Sequence, residues 1–291
     1  MQKSDRRKAV LFVLFLHFAS FRRLFFLIFK AKKDCKVKKI FAFVAFIAFA
    51  VVFIGCEKKD DSYKKVIEKG ELVIGLDAYY PPMGFYDQDG DIVGFDIDLA
   101  VEVCARMGIK LKTVPISWDN KNYELNSGAI DCIWNGMSVD SSRASTMSLS
   151  DPYFNNGMYF LVKDSSLANE DSLKGRRIAL QKGSTSQDHL VTSEIGMSAK
   201  EIVAFEDNLK ALAALDRGDV DVVYIDKVIA EYLIFKSKKE YFLWADPHVK
   251  EKLAIGFRKN DLALRDAVND IMKAMKVDGR FVKISMKWFG K

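Results

Sequence analysis

The chain has 291 residues, enough for one or two domains with a sizeable core. The net charge of +6 is unevenly distributed: 12 Lys/Arg and two Asp/Glu precede Cys56, so that segment carries +10 and the rest carries −4. The mildly acidic remainder gives no reason to expect a nucleic-acid partner.

The N-terminal segment has the pattern of an export signal. An uncharged apolar run over 40–54 follows a cationic patch that ends at Lys39. The run is short for a membrane span, which needs about 20 residues, but typical of a signal-peptide core. It ends at Gly55-Cys56, which resembles the lipobox of bacterial lipoproteins, where the Cys is acylated. Because Phe53 stands where Leu is usual, a secretory signal without lipidation is the alternative.

The segment 1–55 is therefore predicted to be a leader, although its first part fits no processing scheme well. A second apolar stretch over 9–21 is interrupted by Arg22, and no Met lies between Met1 and Met83. We hypothesise that translation starts near Val37 and that 1–36 is not translated. An unusually long leader with a real first hydrophobic helix is the alternative.

After a charged anchor linker over 56–63, strands and helices alternate as in an α/β fold. Asp96 is predicted to cap the N-terminus of a helix that Gly108 ends. The first set comprises strands over 72–76, 111–116 and 130–134, two short strands over 85–95, and helices over 97–107 and 121–126. The second set comprises strands over 158–162, 177–180, 201–205 and 220–225, with helices over 186–194, 208–216 and 227–236. A strand over 253–257 and helices over 262–276 and 280–288 complete the chain.

The second set ends near Ala245, yet about 40 residues follow, too few for a third domain. A discontinuous arrangement is therefore favoured, in which the chain crosses between two lobes near 153–157 and returns near 247–250. We expect lobe 1 to comprise 64–155 plus 249–291 and lobe 2 to comprise 156–248. Two crossings make a hinge, and the cleft beside it is the expected ligand site.

The cysteines add little. After Cys56 only Cys104 and Cys132 remain, and no Cys/His spacing typical of a metal site occurs. Both are interpreted as buried core thiols, although export would permit a disulfide between them. The sequence predicts neither a metal nor a cofactor.

Short motifs in a fixed order carry the most specific signal. They are Gly75–Pro82, Gly94–Ala100, Ser127–Asp131, Asn135–Ser138 with Arg143, Ser150–Tyr153, Leu173–Gly175, Gln181–Thr185, and Leu215–Asp221 with Asp226. In this order they closely resemble the polar amino-acid binding proteins of bacterial ABC importers (bacterial extracellular solute-binding protein family 3), over about residues 64–290.

The resemblance implies a periplasmic-binding-protein-like fold, with two α/β lobes joined by a two-segment hinge. It also implies a monomer that captures a free amino acid and delivers it to an ABC permease in the membrane. No nucleic-acid partner is expected. Such a protein works outside the cytoplasm, in the periplasm or at the outer face of the cell membrane, where a lipid on Cys56 would anchor it to the membrane surface.

At one end of the ligand, Arg143 stands where the family has its carboxylate-binding Arg, and its planar fork suits a carboxylate. Ser184 and Thr185 precede a predicted helix, whose amide groups would hold the same carboxylate. Gln181, in the same motif, is a further candidate contact.

At the other end, Asp226 matches the family's ammonium-binding Asp. The Ser138 hydroxyl and the Gly136 carbonyl would complete that shell. The alternative for Asp226 is to cap the N-terminus of the helix that begins at Lys227.

The ligand side chain is expected to lie between the rings of Tyr80 and Trp118, with Asn135 as a possible contact and Trp134 in the core. Asp77 matches an acidic position that often meets a polar or cationic side chain. It could instead satisfy turn amides at the end of its strand.

Two rival functions remain. Some dehydratases share the fold, but His189 and His248 form no triad or metal cluster with other residues, so an enzyme is not expected. The second rival is a ligand-sensing protein that presents its closed form to a receptor.

Overall fold

The computed structural model describes residues 60–236 and 240–290. The predicted leader, the lipidation candidate Cys56 and half of the linker (56–59) lie outside the described residues. The helices are α1 (Ser62–Lys69), α2 (Phe95–Met107), α3 (Lys121–Ser127), α4 (Ser141–Thr146), α5 (Thr185–Thr192), α6 (Glu194–Ser198), α7 (Asn208–Arg217), α8 (Lys227–Lys236), α9 (Leu262–Val277) and α10 (Arg280–Phe289). The strands are β1 (Glu71–Leu76), β2 (Tyr79–Tyr80), β3 (Gly84–Tyr86), β4 (Ile92–Val93), β5 (Lys110–Pro115), β6 (Cys132–Ser138), β7 (Met147–Leu149), β8 (Phe154–Val162), β9 (Arg177–Gln181), β10 (Glu201–Phe205), β11 (Val222–Asp226) and β12 (Phe242–Arg258).

One sheet runs through this part of the chain in the order β10-β9-β11-β8-β12-β6-β1-β5, with β7 also paired to β12. β1 pairs in parallel with β5 and β6, and β9 pairs in parallel with β10 and β11. We call α1 to β7 with α9 and α10 the first lobe, and β9 to α8 the second lobe. The antiparallel strands β8 and β12 join them. This two-lobed arrangement confirms the predicted α/β fold class.

The crossing predicted near 153–157 falls at the start of β8, and the one predicted near 247–250 falls within β12. The two strands pair on either side of an irregularity, with Ala245 opposite Tyr159 and Lys250 opposite Gly157. The predicted strand over 253–257 is only the end of the 17-residue β12. That prediction was wrong in length because Pro247 reads as a strand breaker, whereas the irregularity removes this residue from the hydrogen-bonded ladder.

Two helix predictions also differ from the structure. Helix α1 begins at Ser62, inside the predicted linker. The predicted helix over 186–194 is divided at Ser193, which has extended backbone angles and accepts a hydrogen bond from the Gly196 N–H at its hydroxyl (3.0 Å). Since this hydroxyl caps the N-terminus of α6, the Ser drives the break.

An aromatic cluster fastens the C-terminal helix to the first lobe. The ring of Phe95 meets Phe281 and Phe289 of α10 edge-on, at 5.8 and 5.0 Å between centroids. Phe289 also lies 5.0 Å from Phe154, the first residue of β8. The end of the chain therefore supports the start of a connecting strand.

The three residues that the sequence analysis assigned to the core are buried, as predicted. Trp134 is fully buried, and Cys104 and Cys132 are buried free thiols. Among the described residues, no helix is both long and apolar enough to cross a membrane.

Candidate functional site: a cleft between the lobes

The candidate residues gather where strands of the two lobes end. Asp77 follows β1 and Ser138 ends β6 in the first lobe, while Gln181 ends β9 and Asp226 ends β11 in the second. Carboxyl ends of parallel strands commonly form the ligand crevice of an α/β protein. Here the two sets of ends face each other, because Gln181 of the second lobe donates to Asp77 of the first (2.6 Å).

Arg143 is a buried cation of the first lobe. Its Nη1 donates to the Ser138 carbonyl (2.7 Å), and its Nε pairs with Asp140 (3.1 Å). Asp140 also accepts from the Arg143 backbone N–H (2.8 Å) as the N-cap of α4. The guanidinium is thus positioned by its own lobe, 5.9 Å from the centre of the Trp118 ring.

Lys121 is a second cation at this end of the cleft, and the sequence analysis missed it. Its Nζ lies 5.1 Å from the centre of the Trp118 ring and donates to the Trp118 carbonyl (3.1 Å). It also donates across the cleft to the Gly183 carbonyl (2.8 Å). Burial, and then the charge of Arg143, lower the pKa of Lys121 to about 8. A Lys at the start of a short helix reads as solvent-exposed, so no sequence signal marks it.

In the second lobe, Ser184 and Thr185 begin α5 as predicted. Ser184 is the N-cap, and its hydroxyl donates to the Gln181 carbonyl (2.6 Å), which fixes the turn. The Gly183 N–H donates to the Gln187 side chain (2.8 Å). The positive end of α5 therefore faces the cleft side that carries Lys121, since Lys121 contacts Gly183 directly.

Asp226 is a buried acceptor rather than a helix cap. Its Oδ1 accepts from Asn156 Nδ2 (2.6 Å), and the Tyr80 hydroxyl lies near the same carboxylate. The Asn156 Oδ1 instead accepts from the Val228 N–H (3.4 Å) near the start of α8. Burial, and then the charge of Glu251, raise the pKa of Asp226.

Glu251 of β12 is the main site residue that the sequence analysis missed. Its Oε2 accepts from the Ser138 hydroxyl (2.8 Å) and from Asn156 Nδ2 (3.1 Å). The run Lys250-Glu251-Lys252 reads as a solvated face, because alternate burial along a strand is invisible when every residue is charged.

Gly136 and Asp96 shape the same wall. Gly136 has φ of 55°, and a Cβ there would lie 2.8 Å from the Tyr80 ring. Its N–H donates to Asp96 (2.6 Å), which also accepts from the Tyr153 hydroxyl (2.9 Å). The prediction of Asp96 as a helix cap was wrong, because the N-cap of α2 is Gly94. A side chain at position 94 would collide with the Met83 carbonyl, so only Gly fits there.

Asp77 accepts a turn amide, as in the alternative interpretation, and it also faces the second lobe. Its Oδ1 accepts from the Tyr79 N–H (2.9 Å), as in a turn, while its Oδ2 accepts from Gln181 Nε2 (2.6 Å) across the cleft. The Asp77 N–H donates to Asn135 Oδ1 (3.1 Å), so Asn135 holds the backbone of Asp77 in position. Burial raises the pKa of Asp77 to about 6, and the charges of Asp207 and Glu206 add to the effect.

The cleft therefore has an ordered distribution of charge. Two cations lie at the Trp118 end, two carboxylates at the Tyr80 end, and a third carboxylate at Asp77. Such an arrangement can hold a small dipolar molecule with both of its charges desolvated and paired.

Residues 72–291 match the sequence profile of the bacterial extracellular solute-binding proteins, family 3. The chain belongs to this family. As a family 3 protein it has a solute-binding role, and the prediction of a solute-binding protein is confirmed.

Similar proteins include the L-cystine-binding protein TcyJ of Escherichia coli (strain K12), which is 28% identical over 229 residues, covering 78% of this chain and 85% of TcyJ. A solved structure of an ABC uptake transporter substrate-binding protein from Streptococcus pneumoniae with bound histidine is 32% identical. It has a TM-score of 0.75 and covers 80% of this chain and 97% of that one. An ancestral amino acid-binding protein, described as a precursor of cyclohexadienyl dehydratase, is 32% identical with a TM-score of 0.73, covering 78% of this chain and 99% of that one.

Proposed function

We propose that this protein captures one free amino acid by closing its two lobes and delivers it to an ABC permease. The observation that carries the proposal is the opposed pair Arg143 and Asp226, both buried and contributed by different lobes. A zwitterion between them would contact both lobes at once, so its binding would favour the closed arrangement.

The carboxylate of the ligand would lie against Arg143 and the start of α5, with the ammonium near Asp226, Ser138 and Gly136. The rings of Tyr80 and Trp118 would contact the side chain of the ligand from two sides. Gln181, Ser184, Thr185 and Asn135 are proposed as further contacts or supports of the wall.

The ligand is proposed to have a polar or basic side chain. Asp77 lies at the cleft, with Asp207 and Glu206 close enough to raise its pKa. A cationic or hydrogen-bonding group would relieve that repulsion, whereas an aliphatic one would leave the buried carboxylate without a compensating charge. The binding of cystine by TcyJ and of histidine by the S. pneumoniae protein agrees with this class.

We propose that the protein acts outside the cytoplasm, as a monomer that a lipid on Cys56 holds to the membrane surface. We retain 64–155 plus 249–291 and 156–248 as the two lobes, and propose that the chain is not an enzyme. The similarity to a dehydratase precursor makes catalysis the second candidate.

The first experiment is a thermal-shift screen of the purified protein against the twenty amino acids, ornithine and cystine. We expect a rise in melting temperature with one or a few polar or basic ligands, because only the folded protein binds them. No shift with any of them would refute the proposal. Incubation with prephenate or arogenate tests the second candidate, and product formation would replace transport by catalysis.

A further inference from the structure

Glu251 lies at the point where both lobes and both connecting strands meet. It is 7% exposed, although its neighbours along β12 are lysines. The first lobe contributes Ser138 and β8 contributes Asn156, through the two hydrogen bonds to Oε2. The second lobe contributes His189 of α5, whose Nε2 lies 3.4 Å from Oε1.

We propose that Glu251 is a second carboxylate of the ammonium site, and that it also docks α5 of the second lobe through His189. This inference rests on the proposed function, because it assigns a residue to the same cleft. It gives the ligand ammonium an acceptor on a connecting strand, in addition to Asp226 of the second lobe.

The shared donor supports the first part. Asn156 Nδ2 donates to Asp226 Oδ1 and to Glu251 Oε2, so one oxygen of each carboxylate lies within hydrogen-bond distance of the same nitrogen. Two buried carboxylates this close repel each other unless a cation or a proton lies with them. An ammonium carries three N–H donors and one positive charge, and therefore matches a site of two carboxylates and a carbonyl.

The partners of the other oxygen support the second part. Glu251 Oε1 has no hydrogen-bond partner among the described residues. His189 Nε2 lies 3.4 Å from it and forms an ion pair with it when the imidazole is protonated. The Thr185 hydroxyl, also on α5, lies near the same carboxylate. Since Ser138 belongs to the first lobe, Glu251 is held by both lobes only while the cleft is closed.

The contact predicts how binding depends on pH. His189 faces Glu251 and Asp246 on β12 and Asp188 on its own helix, while Asp226 lies beyond Glu251. Glu251 raises the pKa of His189 against the opposing effect of burial. A raised pKa means that the protonated imidazole favours the docked form. This contribution is fully present below the ordinary His pKa of about 6.5 and is lost as the pH rises through the raised value.

The test compares Glu251→Gln and His189→Gln with the wild type, and uses Glu231→Gln of α8 as a matched control outside the cleft. L-arginine, L-histidine and L-cystine are titrated singly by calorimetry at about pH 5.5 and about pH 8. For every probe that the wild type binds, we expect Glu251→Gln to weaken binding about ten- to a hundredfold. His189→Gln should weaken it at the lower pH alone, and the control should stay within about twofold.

Any other pattern overturns the proposal, including binding by Glu251→Gln within twofold of wild type, or an equal loss for His189→Gln at both pH values. If the wild type binds none of the three probes, the proposed function fails for them. An NMR titration of His189 in the unliganded protein then decides the docking contact alone. Its pKa should fall in Glu251→Gln, and an unchanged value would refute the contact.

Discussion

At Arg143, two guanidinium nitrogens have partners in the first lobe before any ligand arrives: Nη1 donates to Ser138 and Nε pairs with Asp140. Side chains held in this way lose little conformational freedom when a ligand binds. The same contacts also keep the positive charge at the cleft while the lobes are apart, because Ser138 and Asp140 belong to the same lobe as Arg143.

Replacement of Arg143 by Ala should leave the ligand carboxylate buried and unpaired. We expect a loss of about 3–5 kcal/mol in binding, which is roughly a hundred- to several-thousand-fold in affinity. Titration calorimetry with the best ligand of the screen measures it. Arg143→Lys keeps the charge without the planar fork and should give an intermediate loss. Unchanged binding by Arg143→Ala would refute the role of this residue.

Gly136 is expected to tolerate no side chain. Gly136→Ala adds a Cβ 2.8 Å from the Tyr80 ring and places a non-Gly residue at φ of 55°. The left-handed backbone alone costs about 1–2 kcal/mol. Gly90→Ala is the matched control, since its φ is 84° and nothing lies near its Cβ.

Chemical denaturation and ligand titration of both variants separate the two effects. Both should be less stable than wild type, but only Gly136→Ala should also lose ligand affinity, because only its Cβ displaces Tyr80. Equal ligand affinity in the two variants would show that the Tyr80 contact is unimportant for binding.

The order of the motifs was enough to predict the site residues at the strand ends. The structure brings three of them, Asp77, Gln181 and Asp226, to one cleft. Lys121 and Glu251 escaped because their burial depends on the second lobe, and nothing local distinguishes a buried charge from a solvated one. The wrong assignment of Asp96 has the opposite cause: a local rule, the acidic N-cap, was outweighed by a distant partner, the Gly136 N–H.

At the level of elements, α10 matters through its aromatic face. Phe95→Ala removes the ring against which Phe281 and Phe289 pack. We expect the free energy of unfolding to fall by about 3–5 kcal/mol, as for other large-to-small changes in a core. Met286→Ala, on the exposed face of the same helix, is the control and should change it by no more than about 0.5 kcal/mol. Denaturant unfolding followed by circular dichroism measures both.

Element prediction succeeded where apolar strands alternate with capped helices, as in β1, β9 and α7. It failed where tertiary pairing decides the outcome. β12 continues through Asp246 and Pro247 because β8 offers a partner on both sides of the irregularity. β7 was not predicted at all, since its three residues become a strand only by pairing with the end of β12.

For the whole molecule, two lysines of unequal burial link the lobes. Lys121 donates to Gly183 from a buried position, whereas Lys182 pairs with Asp119 (2.8 Å) at the exposed rim. We expect Lys121→Met to weaken ligand binding about ten- to a hundredfold, because a buried charged hydrogen bond between the lobes is lost. Lys182→Ala should stay within about twofold, since solvent screens an exposed pair.

Ligand titration of both variants at moderate salt measures the difference. Each lysine contacts the opposite lobe, but Lys121 is buried inside the cleft and Lys182 lies at its exposed rim. Similar losses in the two variants would mean that closure depends on the number of charges linking the lobes rather than on their burial.

The position of β12 also sets the order in which the molecule can be completed. β12 lies between β8 and β6, yet among the described strands it comes last along the chain. The parallel set β6-β1-β5 emerges early but has an unpaired edge until residues after 241 arrive. In the second lobe, β9, β10 and β11 pair with one another without β12. The N-terminal lobe must therefore wait for the C-terminus, and such long-range pairing makes folding slow. The export that we propose would take place during this interval, while the first lobe still lacks its partner strand.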